Sequence, residues 1–193
     1  MVSWLLQTDE ALFLALNGCN APWADKVMWV VSSKWLWIPL YGWLVWLLVQ
    51  MFGRQVWRTL LLALLLVVIT DQGSGLMKNT VKRPRPSHDA VLGDRVHVVK
   101  GYRGGPYGFF SSHAANTFGV ALFAGLLLRR RHKLLLPALL VWASLVAYSR
   151  VYLGVHYPGD ILAGVLWGAA CGAALFALHQ RWLPRETRFR LHR

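Results

Sequence analysis

Residues 59–70 read TLLLALLLVVIT, almost pure hydrocarbon, and residues 71–77 read DQGSGLM, small and polar. A run this apolar belongs in a bilayer, and its polar second half must then face protein or water rather than lipid. Four further segments share the apolar character: Trp35–Met51, Ser111–Leu128, Leu134–Ser149 and Gly159–Leu178. At about 1.5 Å per residue, the Trp35–Met51 segment crosses a hydrocarbon core of about 30 Å only with help from its flanks. The last segment carries Gly164, Gly168 and Gly172 at four-residue spacing, which permits close helix packing. Ahead of the spans, residues 3–16 place Leu5, Leu6, Leu12, Phe13 and Leu16 around Asp9 and Glu10. That pattern suits a short amphipathic helix lying in the membrane interface. Asn17 and Gly18, which tolerate the left-handed backbone of a helix stop, end it, and Pro22–Val31 reads as a second short helix.

The expected fold is therefore an all-α, polytopic membrane helical bundle with an N-terminal amphipathic helix. It has five spans, or six if residues 22–31 enter the membrane. We read residues 1–193 as one membrane domain: interfacial helices over 1–33, a bundle over 34–180, and a basic tail over 181–193. The chain carries a formal charge of +13, yet 56% of it is hydrophobic, 11 residues are Trp and only 15% are charged. The apolar content excludes a disordered basic chain, and no nucleic-acid partner is expected. Cys19 and Cys171 are isolated packing residues, and no spacing suggests a zinc site, so no metal or other cofactor is expected. The N-terminus lacks the basic start and small-residue cleavage site of a signal peptide.

Five spans place Arg54 and Arg58, the 129–133 cluster and the tail on one side, which the positive-inside rule makes cytoplasmic. The expected location is a bacterial-type cytoplasmic membrane, with the C-terminus inside. The opposite, outer or periplasmic face then receives the 78–110 loop, which is also basic, through Lys78, Lys82, Arg83, Arg85, Arg95, Lys100 and Arg103.

Chemistry explains that conflict. Three segments, 78–112 in two parts and 149–160, meet at the same membrane boundary: KNTVKRPRP, FSSH and SRVYLGVHYPGD. Together they supply Lys78, Arg85, Ser111, Ser112, His113, Arg150, His156 and Asp160. This set suits phosphoryl transfer. Arg85 and Arg150 offer planar forks for phosphate oxygens, and Lys78 adds a mobile point charge. Ser111 and Ser112 fall where a helix begins, so free backbone N–H groups can hold an anion. An imidazole can attack phosphorus while a carboxylate on its other nitrogen fixes the tautomer, as His156 and Asp160 are spaced to do. A second imidazole, His113, can protonate the leaving oxygen.

The pattern K-x6-R-P, then S-x-H, then S-R-x5-H-x3-D, resembles that of the type 2 phosphatidic acid phosphatase superfamily. It matches at Lys78, Arg85, Pro86, Ser111, His113, Ser149, Arg150, His156 and Asp160. The departures are Phe110, where the family often has Pro, and Ser112, where it often has Gly. The resemblance implies an all-helical membrane enzyme that dephosphorylates lipid phosphates or diphosphates, without metal, through a phosphohistidine. By it, His156 is the nucleophile, Asp160 its orienting partner and His113 the general acid, while Lys78, Arg85, Ser111, Ser112 and Arg150 hold the phosphate. The implied partners are the lipid substrate and membrane lipids, with no obligatory protein partner. The alternatives are phosphotransfer to an acceptor other than water, a membrane anion transporter, and a non-catalytic lipid-binding relative.

Outside the pattern, Lys82 and Arg83 read equally as headgroup anchors or as attractors of an anionic headgroup. His88 and His97 read as loop residues, and Asp71 as a carboxylate partnered by Ser, Asn or Arg in the bundle.

Overall fold

The computed structural model describes residues 2–182. Among the described residues the chain is all-helical, with seven α-helices and a few single-turn 3-10 segments. The helices are α1 (Val2–Gly18), α2 (Pro22–Val31), α3 (Ile38–Phe52), α4 (Val56–Val81), α5 (Ser112–Leu128), α6 (Leu135–Tyr152) and α7 (Pro158–Trp182). The basic tail beyond residue 182 lies outside the described residues.

Local chemistry sets the boundaries. Pro22, Pro39 and Pro158 stand in the first turns of α2, α3 and α7, where a missing N–H costs nothing. Gly53, at a φ of 52°, turns the chain from α3 toward α4. Ser111 caps α5, its hydroxyl accepting from the Ala114 N–H at 3.4 Å.

Three helical stretches are long and apolar enough to cross a membrane: 34–81, which contains both α3 and α4, then Leu135–Tyr152 and Pro158–Trp182. Helix α5 is apolar and, at 17 residues, slightly shorter.

Two helices run further than the apolar pattern implies. Helix α4 continues through Val81 and α6 through Tyr152. Lys78 and Arg150 are therefore on helix ends, not in the 78–110 and 150–158 loops expected from the sequence. Hydropathy marks where lipid is touched; the i→i−4 ladder continues wherever the next turn faces protein.

Helix α5 packs on α7, α6 and α4, and is the centre of the bundle. Leu44, Leu48, Leu66, Phe123, Leu139 and Trp142 belong to one buried apolar cluster within it. Lipid tails are as apolar as these side chains, so close packing rather than transfer from water favours helix association. The expected glycine seam does this: Gly164, Gly168 and Gly172 lie against the backbone carbonyls of Ser111, Ala115 and Gly119 on α5. A Cβ at Gly168 would overlap the Ala115 backbone.

The N-terminal helices are docked on the bundle as well as apolar outside. Trp4, Leu5, Leu6 and Leu12 are exposed, whereas Phe13 and Asn17 are fully buried. Asn17 donates to the carbonyls of His97, Val151 and Tyr152 and accepts from the His97 N–H. Asp25 on α2 accepts from the Tyr152 hydroxyl at 2.6 Å and pairs with His97 Nε2 at 2.8 Å. His97, read from the sequence as a plain loop residue, is thus a tie between loop, α2 and α6. His88 remains an exposed loop residue, within 3.3 Å of the Gly104 carbonyl. Asp71 is exposed on α4 and bonds to no other described residue, in contrast to the partnership expected for it.

Candidate active site

The end of the bundle covered by α1 and α2 collects the residues of the three-part pattern. Lys78 comes from the last turn of α4, Ser111, Ser112 and His113 from the start of α5, and Arg150 from the last turn of α6. His156 stands just before α7, and Asp160 is in its first turn.

The segment between α4 and α5 brings Arg85 to this group. Lys82 adopts a left-handed conformation, φ 51°, and caps α4, its N–H reaching the Lys78 carbonyl. The chain then doubles back on residues 106–108. Pro84 bridges Tyr107, the Arg85 N–H donates to the Pro106 carbonyl, and the Gly108 N–H donates to the Arg83 carbonyl. Arg85 Nε donates to the Tyr107 carbonyl at 3.0 Å. Gly108 is required here, since a Cβ would come within 2.8 Å of the Asp160 carboxylate.

His156 is 2% exposed and Asp160 is 0% exposed. The imidazole Nδ1 lies 3.4 Å from Asp160 Oδ2, which also accepts the Tyr157 N–H at 3.1 Å. The ring also bonds the Gly108 backbone. Nδ1 is turned to the Asp160 carboxylate, and Nε2 is the nitrogen turned away from it. Burial first, and then the charges of Arg85, Arg150 and Lys78, hold the His156 imidazole well below its ordinary pKa of 6.5. The ring is neutral at pH 7 and so carries a lone pair.

Lys78 Nζ donates to the hydroxyls of Ser74 and Ser112, at 2.8 and 2.5 Å. Arg150 donates to the Ser32 hydroxyl and, at 3.3 Å, to Tyr102 Oη. Its Nε is buried with no partner among the described residues. None of Lys78, Arg85 and Arg150 has a carboxylate within 4 Å among the described residues. Burial, followed by the charge of Arg150, also pushes Arg85 below its ordinary value. Three cations gathered with no ion pair among the described residues are costly for a protein on its own, and a bound anion would lower the cost.

The Ser111 N–H is taken by the Asp160 carbonyl and its hydroxyl oxygen caps α5, which leaves only the hydroxyl proton to donate. The amides of Ser112 and His113 are in the first turn of α5, where no helical acceptor exists for them. A cavity of about 260 Å³ opens at this point beside His113 and Arg150, with Trp29, Lys34, Trp35 and Tyr102 around it.

A family model described as the PAP2 superfamily matches residues 56–184. The chain belongs to the PAP2 superfamily. This PAP2 chain is 35% identical over 191 residues to a lipid A 4'-phosphatase of Bacteroides thetaiotaomicron, an alignment covering 96% of this chain and 83% of that one. It is 27% identical over 212 residues to phosphatidylglycerophosphatase B of Escherichia coli, covering 93% of this chain and 78% of the other. Its fold matches the crystal structure of a transmembrane PAP2 type phosphatidylglycerolphosphate phosphatase from Bacillus subtilis. The TM-score is 0.74 at 24% identity, with 94% and 89% of the two chains covered. The PAP2 chain is an integral membrane protein with helical spans.

Sequence reading missed Arg83 as part of the site. It donates to Asp160 Oδ1 at 3.0 Å and to Asp9 Oδ2 at 2.7 Å. Position 83 sits inside the matched motif, but its partner Asp9 is 74 residues away and no local signal connects them.

Proposed function

We propose that this membrane lipid phosphatase of the PAP2 superfamily removes the phosphate from a lipid phosphate by way of a phosphohistidine at His156. The observation that carries this reading is the pairing of a buried imidazole, held by Asp160, with three cations that have no carboxylate partner. His156 Nε2 attacks phosphorus, while Lys78, Arg85, Arg150 and the first amides of α5 take up charge on the equatorial oxygens. His113 delivers a proton to the departing lipid oxygen. Water then attacks the phosphohistidine, His113 accepts its proton, and inorganic phosphate leaves. Because Lys and Arg meet the phosphate charge directly, the scheme uses no metal.

The substrate headgroup enters through the opening beside Lys34 and Tyr102. An apolar cavity of about 390 Å³ between α3, α4 and α5, with Asn116 as a polar residue on its wall, supports a site for the lipid tail. In our reading α3 to α7 are five spans of one membrane domain. The site faces the outside or periplasm, and the Arg129–Lys133 turn faces the cytoplasm. A lipid A-type phosphate monoester is the first substrate to test, given the relative aligned over almost the whole chain.

The test is phosphate release from a panel of detergent-dispersed lipid phosphates and diphosphates, with chelator present throughout. The expected result is release from at least one lipid that persists in chelator and is blocked by orthovanadate. Release abolished by chelator would overturn the metal-free scheme.

A further inference from the structure

Helix α1 is more than an interfacial anchor. Its residues Asp9, Phe13 and Asn17 follow at four-residue spacing, so they share one face. All three reach the catalytic end. Phe13 packs edge-on against Tyr157, with ring centroids 5.4 Å apart, and Asn17 binds the carbonyls at the end of α6. Asp9 goes furthest. Its Oδ1 accepts the Gly159 N–H at 2.7 Å, and its Oδ2 accepts from Arg83 Nη2 at 2.7 Å. The other arm of that guanidinium, Nη1, donates to Asp160 Oδ1 at 3.0 Å.

We propose that Asp9 and Arg83 are positioning residues for the reaction, forming a chain Asp9–Arg83–Asp160–His156 in which the N-terminal helix sets the orientation of the nucleophile. The inference rests on the reading of His156 as that nucleophile.

The geometry favours positioning over simple anchoring. Both oxygens of Asp160 are occupied: Oδ2 by His156 and the Tyr157 amide, Oδ1 by Arg83. Removing Arg83 frees one oxygen and lets the carboxylate rotate, and the imidazole rotates with it. Arg83 is itself held on three sides. Its guanidinium lies 4.0 Å from the Tyr157 ring centroid, its backbone carbonyl accepts from Gly108, and Asp9 takes the arm that Asp160 does not. Tyr157 is fixed in turn by donating to Asp89 at 2.9 Å. Without Asp9, Arg83 has one carboxylate instead of two and is free to turn toward a bound phosphate. Asp9 thus keeps this fourth cation on Asp160 and out of the phosphate cradle. A side chain exposure of 18% for Arg83, against 0% for Asp160, also argues against Arg83 as a surface anchor for lipid headgroups.

The experiment uses the full chain in detergent with a radiolabelled lipid phosphate monoester, and reads phosphoenzyme formation by rapid quench alongside kcat and KM. Arg83→Gln is expected to slow phosphoenzyme formation about 100-fold and Asp9→Asn about 10-fold, with KM within about twofold of wild type. The double variant is expected to match Arg83→Gln alone, since both changes break one chain. Glu10→Gln, one residue from Asp9, leaves the rate unchanged. If Asp9→Asn does not fold, Arg83→Lys decides: it keeps the charge but reaches only one carboxylate, and an about 10-fold loss is expected. Unchanged kcat in the Arg83 variants, a rise in KM alone, or multiplicative losses in the double variant would overturn the proposal. His156→Ala, run in parallel, separates the two claims. Activity in that variant removes the nucleophile reading itself, whereas an inactive His156→Ala beside a normal Arg83→Gln removes only the positioning chain.

Discussion

Two histidines are buried at opposite ends of α7. His156, just before the helix, is 2% exposed, and His179, in its last turn, is 1% exposed. Their surroundings differ completely. His156 has a carboxylate on Nδ1, a backbone partner in Gly108 and three cations acting on it. Among the described residues, His179 has the Thr59 hydroxyl at 2.8 Å, ring edges from Phe52 and Phe123, and an unpartnered Nδ1. Burial is common to both, so it does not mark the reactive residue. What distinguishes His156 is its carboxylate and its neighbouring cations, which in the proposed mechanism fix the tautomer and receive phosphate charge. His179 has neither, and it serves packing between α4 and α7.

That contrast can be broken most directly by exchanging function for packing. His156→Ala should lower kcat by at least about 10⁴-fold, as loss of a covalent nucleophile does. His179→Leu should leave kcat intact and cost about 1–3 kcal/mol of stability, read as a lower thermal midpoint in detergent, because Thr59 loses its partner. Equal losses of activity in the two variants would erase the distinction. Arg150→Ala, which removes one unpaired cation and touches neither imidazole's partner, should slow turnover about 1,000-fold.

A pH profile sharpens the comparison further. The folded protein holds His156 below its ordinary 6.5, so the proposed nucleophile stays neutral as pH falls through that value. The acid limb of phosphoenzyme formation should therefore lie well below pH 6.5. The sign for stability follows: the unfolded chain binds this proton more readily, so the contribution is present above 6.5 and is lost as pH falls below it. The smallest effect is expected in the apolar cavity proposed for the lipid tail. Val120→Trp, which fills space between α3, α4 and α5, should raise KM a few-fold, about 1 kcal/mol, for long-chain lipids and leave short-chain analogues unchanged.

The two ends of the molecule were also unequally legible. In the apolar half, hydropathy located α3 to α7 and the glycine spacing located the α5–α7 seam, because both depend on residues close in sequence. At the end proposed as catalytic, the pattern K-x6-R-P, S-x-H and S-R-x5-H-x3-D named the residues that the fold collects. It did not show that Lys78 and Arg150 lie on helices, since hydropathy stops at the lipid boundary and the helical hydrogen bonds do not. Nor did it find the N-terminal contributions. Asp9 meets Arg83 across 74 residues, and Asn17 meets Tyr152 across 135. Contacts of that separation are set by how α1 and α2 pack on the bundle, and leave no periodicity or spacing to read. His97 illustrates the same limit: its neighbours in sequence suggest a loop, while its partner Asp25 is on another helix.

The central claim is that phosphate passes through His156. Its most direct measurement is rapid acid-free quenching of the protein with a radiolabelled lipid phosphate, followed by mapping of the labelled peptide. The account predicts an alkali-stable, acid-labile label on the peptide containing His156, absent from His156→Ala and accumulating in a variant whose second step is slowed. Label on a different residue, or normal turnover by His156→Ala, would contradict it.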